Sequence, residues 1–399
     1  MALELVTAGE SHGPELVAVL SGLPAGLALD RTALDAELAR RQHGHGRGGR
    51  QKIEHDRVEV RGGLRDGLTL GSPLLLAVPN RDWENWAAVM DPWSVDPEKA
   101  ARRRLTAPRP GHADLAGGWK YGHTGDLRNV LERASARETV ARVTAGAVCR
   151  QLLARCGVRL RSGVLALGGI PLLDGPPTMA DLEMVDPDSP LTTVAPEREA
   201  ALVERIEAAK AAGDTLGGVV GVVAAGVPPG LGSYARWEER LDGQLAQAVM
   251  AVQAVKAAVI GAGLEVPQGP GSLAHDPILP GDGGVRRGSN RAGGIEGGVS
   301  NGEEIVVRAF MKPISTLREP LPSVDLATAE PGRAAYERSD VTAVPACAVI
   351  VEAAVAFVLA RALLAKFGGD HIDDTLAAID AYRRRLGALG PEGFARPAR

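Results

Sequence analysis

The chain has 399 residues, 45% of them hydrophobic and 24% charged, which is typical of soluble globular proteins. A formal net charge of −4 at pH 7 argues against a general nucleic-acid binder, so the local basic clusters require a local anion. Three cysteines without C-x-x-C spacing fit reduced thiols, and we recognise neither a signal peptide nor an apolar run long enough for a membrane span. We therefore expect a cytoplasmic protein.

Short strands and one helix are predicted in the first part of the chain. Leu3–Ala8 and Glu15–Ser21 are predicted strands, and Asp30–Gln42 is a predicted helix. His43–Arg50 is a predicted glycine- and arginine-rich loop, and Lys52–Arg61 alternates like a further strand. Residues 79–127 are predicted to be mostly loop, with four tryptophans as anchors: Trp83, Trp86, Trp93 and Trp119.

An arginine-rich stretch at residues 128–139 is the most informative local feature. Ser135 and Glu138 have the spacing of a capping box, and the apolar periodicity that follows predicts a helix ending at Gly157. Three arginines lie around this predicted helix start: Arg128, Arg133 and Arg137. Positive charge beside unpaired helix N–H groups favours an anion site. The alternative is a capped surface helix whose arginines are solvated.

The second half is predicted to contain three helices and a strand. The helices are Pro196–Ala212, Leu241–Ile260 and a segment from near Pro345 to about Phe367, and the strand is Glu304–Phe310. No repeat or linker divides the chain, so we expect one α+β domain over residues 1–388. Residues 389–399 are expected to form a flexible C-terminal tail.

Two familiar motifs match in the wrong structural context. Residues 44–49 satisfy G-x-G-x-x-G, but a predicted helix precedes them and a predicted strand follows, the reverse of a dinucleotide-binding unit. Residues 9–13 satisfy G-x-S-x-G, yet the nucleophile elbow of a hydrolase is followed by a helix, and here a strand is predicted. A serine hydrolase nevertheless stays open as an alternative, as does a non-catalytic anion-binding domain.

Two histidines lie in glycine-flanked turns and are candidates for proton transfer. They are His12, in Ser11-His12-Gly13, and His112, in Gly111-His112-Ala113. A histidine titrates near neutral pH, and a glycine beside it permits close approach to a ligand. No metal site is predicted, because neither H-x-x-x-H nor H-E-x-x-H spacing occurs.

Taken together, several segments closely resemble the chorismate synthase family. In chain order they are Thr7-Ala8-Gly9-Glu10-Ser11-His12-Gly13, Arg40-Arg41-Gln42, Gly46-Arg47-Gly48-Gly49-Arg50, Arg109-Pro110-Gly111-His112-Ala113-Asp114-Leu115, Glu132-Arg133-Ala134-Ser135-Ala136-Arg137-Glu138-Thr139, Gly293-Gly294-Ile295-Glu296-Gly297-Gly298-Val299-Ser300-Asn301-Gly302, Lys312-Pro313-Ile314-Ser315-Thr316 and Arg338-Ser339-Asp340-Val341-Thr342-Ala343-Val344-Pro345-Ala346. Their number and order carry the resemblance across some 340 residues. One departure is His43-Gly44-His45, where the family more often has a Gly-Tyr pair.

The resemblance implies an enzyme, a fold and a cofactor. The family converts 5-enolpyruvylshikimate 3-phosphate to chorismate and phosphate, a 1,4-elimination without net redox change that requires reduced FMN. The resemblance also implies a homotetramer with long helices sandwiched between antiparallel sheets. NADPH is a candidate reductant, and we expect an external source of reduced flavin. A nucleic-acid or membrane partner is not expected.

The resemblance further assigns roles to individual residues. The implied catalytic residues are His12, as acid to the leaving phosphate, His112, beside the reduced flavin, and Asp340. The implied flavin contacts are Arg133, Ala134, Ser135, Gln253, Ala254, Gly297, Lys312, Pro313, Ile314, Ser315, Thr316 and Arg338. The implied contacts to substrate or NADP(H) are Ser11, Arg41, Arg47, Arg50 and Arg137. Guanidinium groups suit this substrate because they pair with both carboxylates and phosphates.

Overall fold

The computed structural model describes residues 2–47, 55–281, 284–337 and 340–387. The helices are α1 (Arg31–Gln42), α2 (Trp83–Met90), α3 (Pro97–Arg103), α4 (Asp114–Tyr121), α5 (Arg128–Ala134), α6 (Thr139–Arg155), α7 (Met179–Glu183), α8 (Glu199–Ala211), α9 (Leu241–Met250), α10 (Gly271–Ala274), α11 (Val344–Phe367) and α12 (Ile372–Gly387). The strands are β1 (Glu4–Ala8), β2 (Glu15–Ser21), β3 (Glu59–Gly62), β4 (Leu64–Arg65), β5 (Leu68–Thr69), β6 (Leu74–Pro79), β7 (Arg159–Leu167), β8 (Ile170–Pro171), β9 (Gly218–Ala225), β10 (Val255–Ile260), β11 (Ile278–Gly281), β12 (Gly284–Arg287), β13 (Ile295–Glu296), β14 (Val299–Ser300), β15 (Ile305–Met311), β16 (Pro322–Val324) and β17 (Pro331–Arg333).

Two antiparallel sheets form the outer layers of the fold. The first has the strand order β1-β2-β6-β3 and the second the order β10-β15-β9-β7-β8. Alternate residues of β2 face inward, so Leu16, Ala18 and Leu20 are buried. In the second sheet Val307 of β15 lies opposite Val222 of β9, and both side chains are buried. Each sheet therefore presents one apolar face to the interior.

Long helices fill the space between the sheets. Helices α6 and α11 pack against each other, with α6 also against β2 and β6 and α11 against β7 and β9. The helices approach so closely at Gly146 that a Cβ there would lie 2.4 Å from the Cβ of Ala353. One hydrophobic cluster includes residues of both sheets and of both helices. The predicted α+β fold with helices between antiparallel sheets is confirmed.

Helix α11 is the central apolar element. Pro345 lies in its first turn, and the helix ends before Gly368, whose φ is +63°. An eighteen-residue window of α11 passes for a membrane span by length and composition alone, with a mean hydropathy of 2.3, although Glu352 and Arg361 interrupt the apolar run of the helix. However, 83% of that window is buried inside the protein. The apolar composition is explained by burial in the core.

One predicted helix is wrong because its apolar spacing was compatible with more than one structure. The predicted helix Leu241–Ile260 is instead α9, a turn, and strand β10, which pairs with β15. Ala254 in that turn has φ +68°, which interrupts the helix, and the β-branched residues beyond it pair well in a sheet. Residues 79–127, predicted to be mostly loop, contain α2, α3 and α4. Of the four predicted tryptophan anchors, Trp86 is buried, whereas Trp93 and Trp119 are exposed.

The predicted capping box at Ser135 and Glu138 is also wrong. The Ser135 hydroxyl accepts the Arg137 N–H at 3.3 Å, but it caps a short 3₁₀ turn, Ala136–Glu138, that precedes α6. The Glu138 carboxylate turns away to Thr7 and Arg142. The predicted strand Lys52–Arg61 is ordered as a strand only from Glu59, and its residues 52–54 lie outside the described part. The predicted tail, 389–399, also lies outside it.

Candidate active site

His12 lies in the turn between β1 and β2, whose geometry requires glycine. Gly9 has φ +104°, and a Cβ there would lie 2.4 Å from the carbonyl oxygen of Glu15. The Ser11 N–H donates to the Glu132 carbonyl oxygen at 2.8 Å. This bond ties the turn to α5 and places His12 beside that helix.

The Glu132 carboxylate holds His12 from two directions. It accepts the His12 backbone N–H at 2.8 Å and lies 2.9 Å from the imidazole Nδ1. Arg128, one helical turn earlier, donates to it at 3.2 Å. Burial raises the pKa of Glu132, but the hydrogen bonds from His12 and the charge of Arg128 outweigh burial, so that pKa lies below its ordinary value. The carboxylate is therefore ionised and orients the ring through Nδ1.

Trp86 on α2 covers the same imidazole. The ring centroids of His12 and Trp86 are 3.9 Å apart and their planes differ by 29°. The indole Nε1 donates to Asp82 at 3.0 Å. The guanidinium carbons of Arg103 and Arg128 lie 4.4 and 5.0 Å from the centre of the Trp86 ring. His12 is thus enclosed by a carboxylate and an aromatic plane.

Arg41 and Arg137, two of the predicted anion ligands, meet at the buried carboxylate of Asp56. Arg137 donates to both Asp56 oxygens at 2.8 Å, and it also donates to Oδ1 of Asn80 at 2.9 and 3.0 Å. Arg41 lies 3.7 Å from Asp56 and donates to the Thr139 hydroxyl at 3.0 Å. These contacts hold the two guanidinium groups side by side.

Asn80 connects this arginine pair to the His12 turn. Its Nδ2 donates to the carbonyl oxygens of Gly13 at 2.7 Å and Ser11 at 3.3 Å. Ser11 is itself buried. The structure therefore brings together four of the predicted residues: Ser11, His12, Arg41 and Arg137.

His112 lies against a second buried ion pair. Its Nδ1 is 2.5 Å from Oδ1 of Asp114, and Asp114 also accepts Nε and Nη2 of Arg109 at 2.8 and 3.0 Å. Burial raises the pKa of Asp114, but its bonds with His112 and Arg109 hold that pKa far below its ordinary value. Arg109 also donates to the Thr316 hydroxyl at 3.0 Å. His112, like His12, is oriented by an ionised carboxylate.

The predicted 312–316 segment joins His112 to the turn after α9. The Lys312 ammonium donates to the Gly111 carbonyl at 3.0 Å, and the Lys312 N–H donates to the Ala254 carbonyl at 2.9 Å. Burial, with the nearby charge of Lys256, lowers the pKa of Lys312. The segment continues through Pro313, Ile314 and Ser315 to Thr316.

Arg133 and Gln253 meet beside the end of α5, where Ala134 and Ser135 follow. Arg133 is half-exposed and donates to the carbonyls of Thr7 at 2.9 Å and Gly9 at 3.1 Å. Gln253 donates through Nε2 to Glu138 at 3.2 Å. Its Oε1 is buried and has no hydrogen-bond partner among the described residues. Because a buried acceptor is normally satisfied, this atom suits a ligand donor.

Arg47 and Asp340 form a further pair, with their side chains 2.8 Å apart. The Val341 N–H donates to the Gly46 carbonyl at 2.8 Å, which holds the two segments together. The remaining predicted residues Arg50 and Arg338 lie outside the described residues.

Gly297 is separated from Gln253. It lies at the tip of the β13–β14 hairpin with φ +60°, and the neighbouring Gly298 carbonyl accepts the N–H of Leu241 at the start of α9. Gln253 follows the end of the same ten-residue helix, which is about 15 Å long. The two predicted flavin contacts therefore lie near opposite ends of α9.

The sequence reasoning gave no role at the site to six side chains that position the histidines and arginines. They are Asp56, Asn80, Trp86, Arg109, Asp114 and Glu132. Glu132, Arg109 and Asp114 lie inside recognised segments, where their spacing from a histidine or arginine was the available signal. Asp56 and Asn80 lie in unremarkable sequence, and only the fold brings them to Arg137.

Both rival motifs lack their required surroundings. Ser11 is buried and is followed by strand β2 rather than by a helix. The described part of the 44–49 motif follows helix α1 rather than a strand. Among the described residues, no group of three or more His, Cys, Asp or Glu side chains is arranged to hold a metal ion. Two cavities, of about 450 and 410 Å³, are lined by residues away from both histidines, such as Leu23 with Leu364 and Leu34 with Val58.

Comparisons with known proteins agree with one another. The family model described as chorismate synthase matches residues 3–364. The chain is 53% identical over 385 residues to the chorismate synthase of Moorella thermoacetica, covering 96% of this chain and 99% of that protein. It is 52% identical over 396 residues to that of Mycolicibacterium vanbaalenii, covering 98% of both. A solved structure described as a crystal structure of chorismate synthase matches with a TM-score of 0.78 and 38% identity, over 98% of this chain and 99% of that one.

The resemblance seen in the short segments thus extends over nearly the whole chain. The activity is that of a carbon–oxygen lyase, which eliminates phosphate from 5-enolpyruvylshikimate 3-phosphate to give chorismate, and it requires a reduced flavin. The hydrolase and the non-catalytic anion-binding domain are not favoured. The chain belongs to the chorismate synthase family.

Proposed function

We propose that His12 is the acid that protonates the leaving phosphate in this elimination. The observation that carries the proposal is the contact of His12 with the buried, ionised Glu132, beside the Arg41–Arg137 pair. Cleavage of the C–O bond builds negative charge on the phosphate oxygen, and a proton delivered there lowers the barrier. Glu132 orients the imidazole that gives up that proton through its contact with Nδ1.

The arginines supply fixed positive charge for a substrate with two carboxylates and a phosphate. Arg41 and Arg137 are held in place by Asp56, and Arg47 by Asp340. Ser11 and Arg50 complete the proposed set, which also serves NADP(H). Because guanidinium groups stay charged, the positive charge that they offer to these anions does not vary with pH.

We propose FMN as the flavin. Arg133, the partly buried Lys312 and the Oε1 of Gln253, which has no hydrogen-bond partner among the described residues, fit the charged and hydrogen-bonding parts of that molecule. The proposed contacts also include Ala134, Ser135, Ala254, Gly297, Pro313, Ile314, Ser315, Thr316 and Arg338. When bound, the reduced flavin supplies electron density to the allylic system as phosphate leaves.

His112 and Asp340 are proposed to handle protons on the flavin side. His112 is oriented through Nδ1 by Asp114, so its ring is held for exchange of a proton at Nε2. Asp340 is held by Arg47. Neither residue is assigned to the phosphate.

The wider setting is also proposed from the family. Residues 1–388 form one catalytic domain. The protein is cytoplasmic and assembles as a homotetramer. Its flavin is reduced by an external donor, with NADPH as a candidate.

The proposed division between the two histidines is tested by substitution. With reduced FMN supplied anaerobically, His12→Ala should lower kcat by about 10²–10⁴-fold, the usual loss of general-acid help, while FMN affinity changes little. His112→Ala should slow turnover and also alter the absorbance of bound flavin. His43→Ala is the control, because His43 is exposed and outside both clusters. Near-normal kcat in His12→Ala would refute the acid assignment.

A further inference from the structure

The ring of Trp86 stacks on the His12 imidazole. This contact points to a role for Trp86 in positioning His12, distinct from the role of His12 as the acid. Glu132 contacts the His12 imidazole at one edge, through Nδ1. A contact at one edge does not fix the plane of the ring, since the ring still turns about that contact. The indole plane, 3.9 Å from the imidazole centroid and only 29° from parallel, removes this remaining freedom.

The indole is itself held by several charged side chains. Its Nε1 donates to Asp82, and the guanidinium groups of Arg103 and Arg128 lie over the ring. Arg128 also donates through Nε to the Arg103 carbonyl at 2.7 Å, and it contacts Glu132 at 3.2 Å. Cation–π contacts of this kind stabilise the aromatic plane where it is desolvated, and Trp86 is only 5% exposed. One arginine therefore fixes both supports of His12.

We propose that Trp86 is a positioning residue that holds the plane of the His12 imidazole for proton delivery to the leaving phosphate. The proposal rests on the proposed role of His12 as the acid. Trp86 donates no proton and is not assigned to the substrate. Its contribution is geometric, and a displacement of about 1 Å at a reacting group is enough to cost about 10²-fold in rate.

The first measurement compares three variants with reduced FMN under anaerobic conditions. Trp86→Leu should lower kcat by about 10- to 100-fold with KM changed less than threefold, because substrate is bound mainly by the arginines. Trp86→Phe keeps a flat ring and should retain at least a third of the kcat. Trp93→Leu is the matched control, because Trp93 is 93% exposed in the segment that follows α2. This substitution should leave both kcat and KM unchanged.

A double-mutant cycle separates positioning from general structural damage. In a His12→Ala background there is no imidazole to position, so Trp86→Leu should change the residual kcat less than twofold. A structural role would lower kcat by the same factor in both backgrounds, and that additivity would overturn the proposal. Near-normal kcat in His12→Ala alone would overturn both this proposal and the acid assignment. If His12→Ala is slow but Trp86→Leu either leaves kcat unchanged or lowers it by the same factor in both backgrounds, only the proposal for Trp86 is overturned.

A measurement on the unaltered protein tests the stacking without depending on whether a Trp86 variant folds. A proton stacked on an indole is shifted upfield by its ring current, so the carbon-bound ring protons of His12 should resonate upfield of those of exposed His43. His12→Ala assigns the signals by removing them. Shifts for His12 equal to those of His43 would show that the stack does not exist in solution and would overturn the proposal.

Discussion

Replacing Glu132 by Gln removes one negative charge and almost no volume from the candidate site. In the unaltered protein the carboxylate forms hydrogen bonds with the His12 backbone N–H, with the His12 Nδ1 and with Arg128. The amide of Gln has one acceptor oxygen and one donor nitrogen, so it cannot satisfy all three. The ring then loses its ionised partner, and the buried Arg128 loses part of its countercharge.

The size of the effect follows from the bonds that are lost. A hydrogen bond to a charged group contributes about 1.5–3 kcal/mol. Since each 1.36 kcal/mol is a tenfold change in rate, loss of one such bond to Nδ1 in the transition state lowers kcat by about 10- to 150-fold. We expect KM to change less, because the arginines that bind the substrate keep their partners.

The assay is anaerobic chorismate formation with reduced FMN, measured for Glu132→Gln and for a matched control. Glu207→Gln is that control, because Glu207 also lies 2.9 Å from a histidine nitrogen, that of His45, but in an exposed pair. The control should keep its kcat within about twofold. A Glu132→Gln variant with the kcat of the unaltered protein would show that the carboxylate does not support the acid.

Two further predictions concern stability. Gly146→Ala should destabilise the protein by about 1–3 kcal/mol in urea unfolding, because the new Cβ would lie within 2.6 Å of the Ala353 Cα. Gly243 lies at an exposed position of α9, so Gly243→Ala should stabilise the protein by about 0.5–1 kcal/mol. Equal signs for the two changes would contradict the helix packing. The pKa of Asp114 lies below its ordinary 3.8 in the folded protein, so the ionised carboxylate stabilises the folded state. This contribution to the free energy of unfolding is nearly complete above about pH 4 and is lost as pH falls further. The unfolding free energy should therefore fall less steeply below pH 4 in Asp114→Asn, and an unchanged slope would refute this.

The elements predicted best from the sequence are those whose apolar pattern is compatible with only one type of secondary structure. More buried and more exposed side chains alternate along β1 and β2. The turn between them contains Gly9, whose φ of +104° favours glycine. Helix α11 is apolar over many turns and ends at Phe367, before Gly368. By contrast, the apolar spacing across α9 and β10 fits a helix as well as a helix and a strand, and pairing with β15 decided between them.

The candidate site was predictable only in part for a related reason. Its histidines and arginines carry recognisable local motifs, so His12, His112 and Arg137 were found. Their partners are distant in sequence: Asp56 is 81 residues from Arg137, and Glu132 is 120 from His12. Which carboxylate meets which cation depends on the packing of α5 and α6 against the first sheet, and no local pattern encodes it.

The most direct test of the central claim is an anaerobic assay of the purified chain with 5-enolpyruvylshikimate 3-phosphate. FMN reduced with dithionite is compared with oxidised FMN and with dithionite alone, while chorismate and phosphate are both measured. The account predicts equal amounts of the two products with reduced FMN and neither product in the two controls. Phosphate release without chorismate, or chorismate at the same rate without reduced flavin, would contradict it.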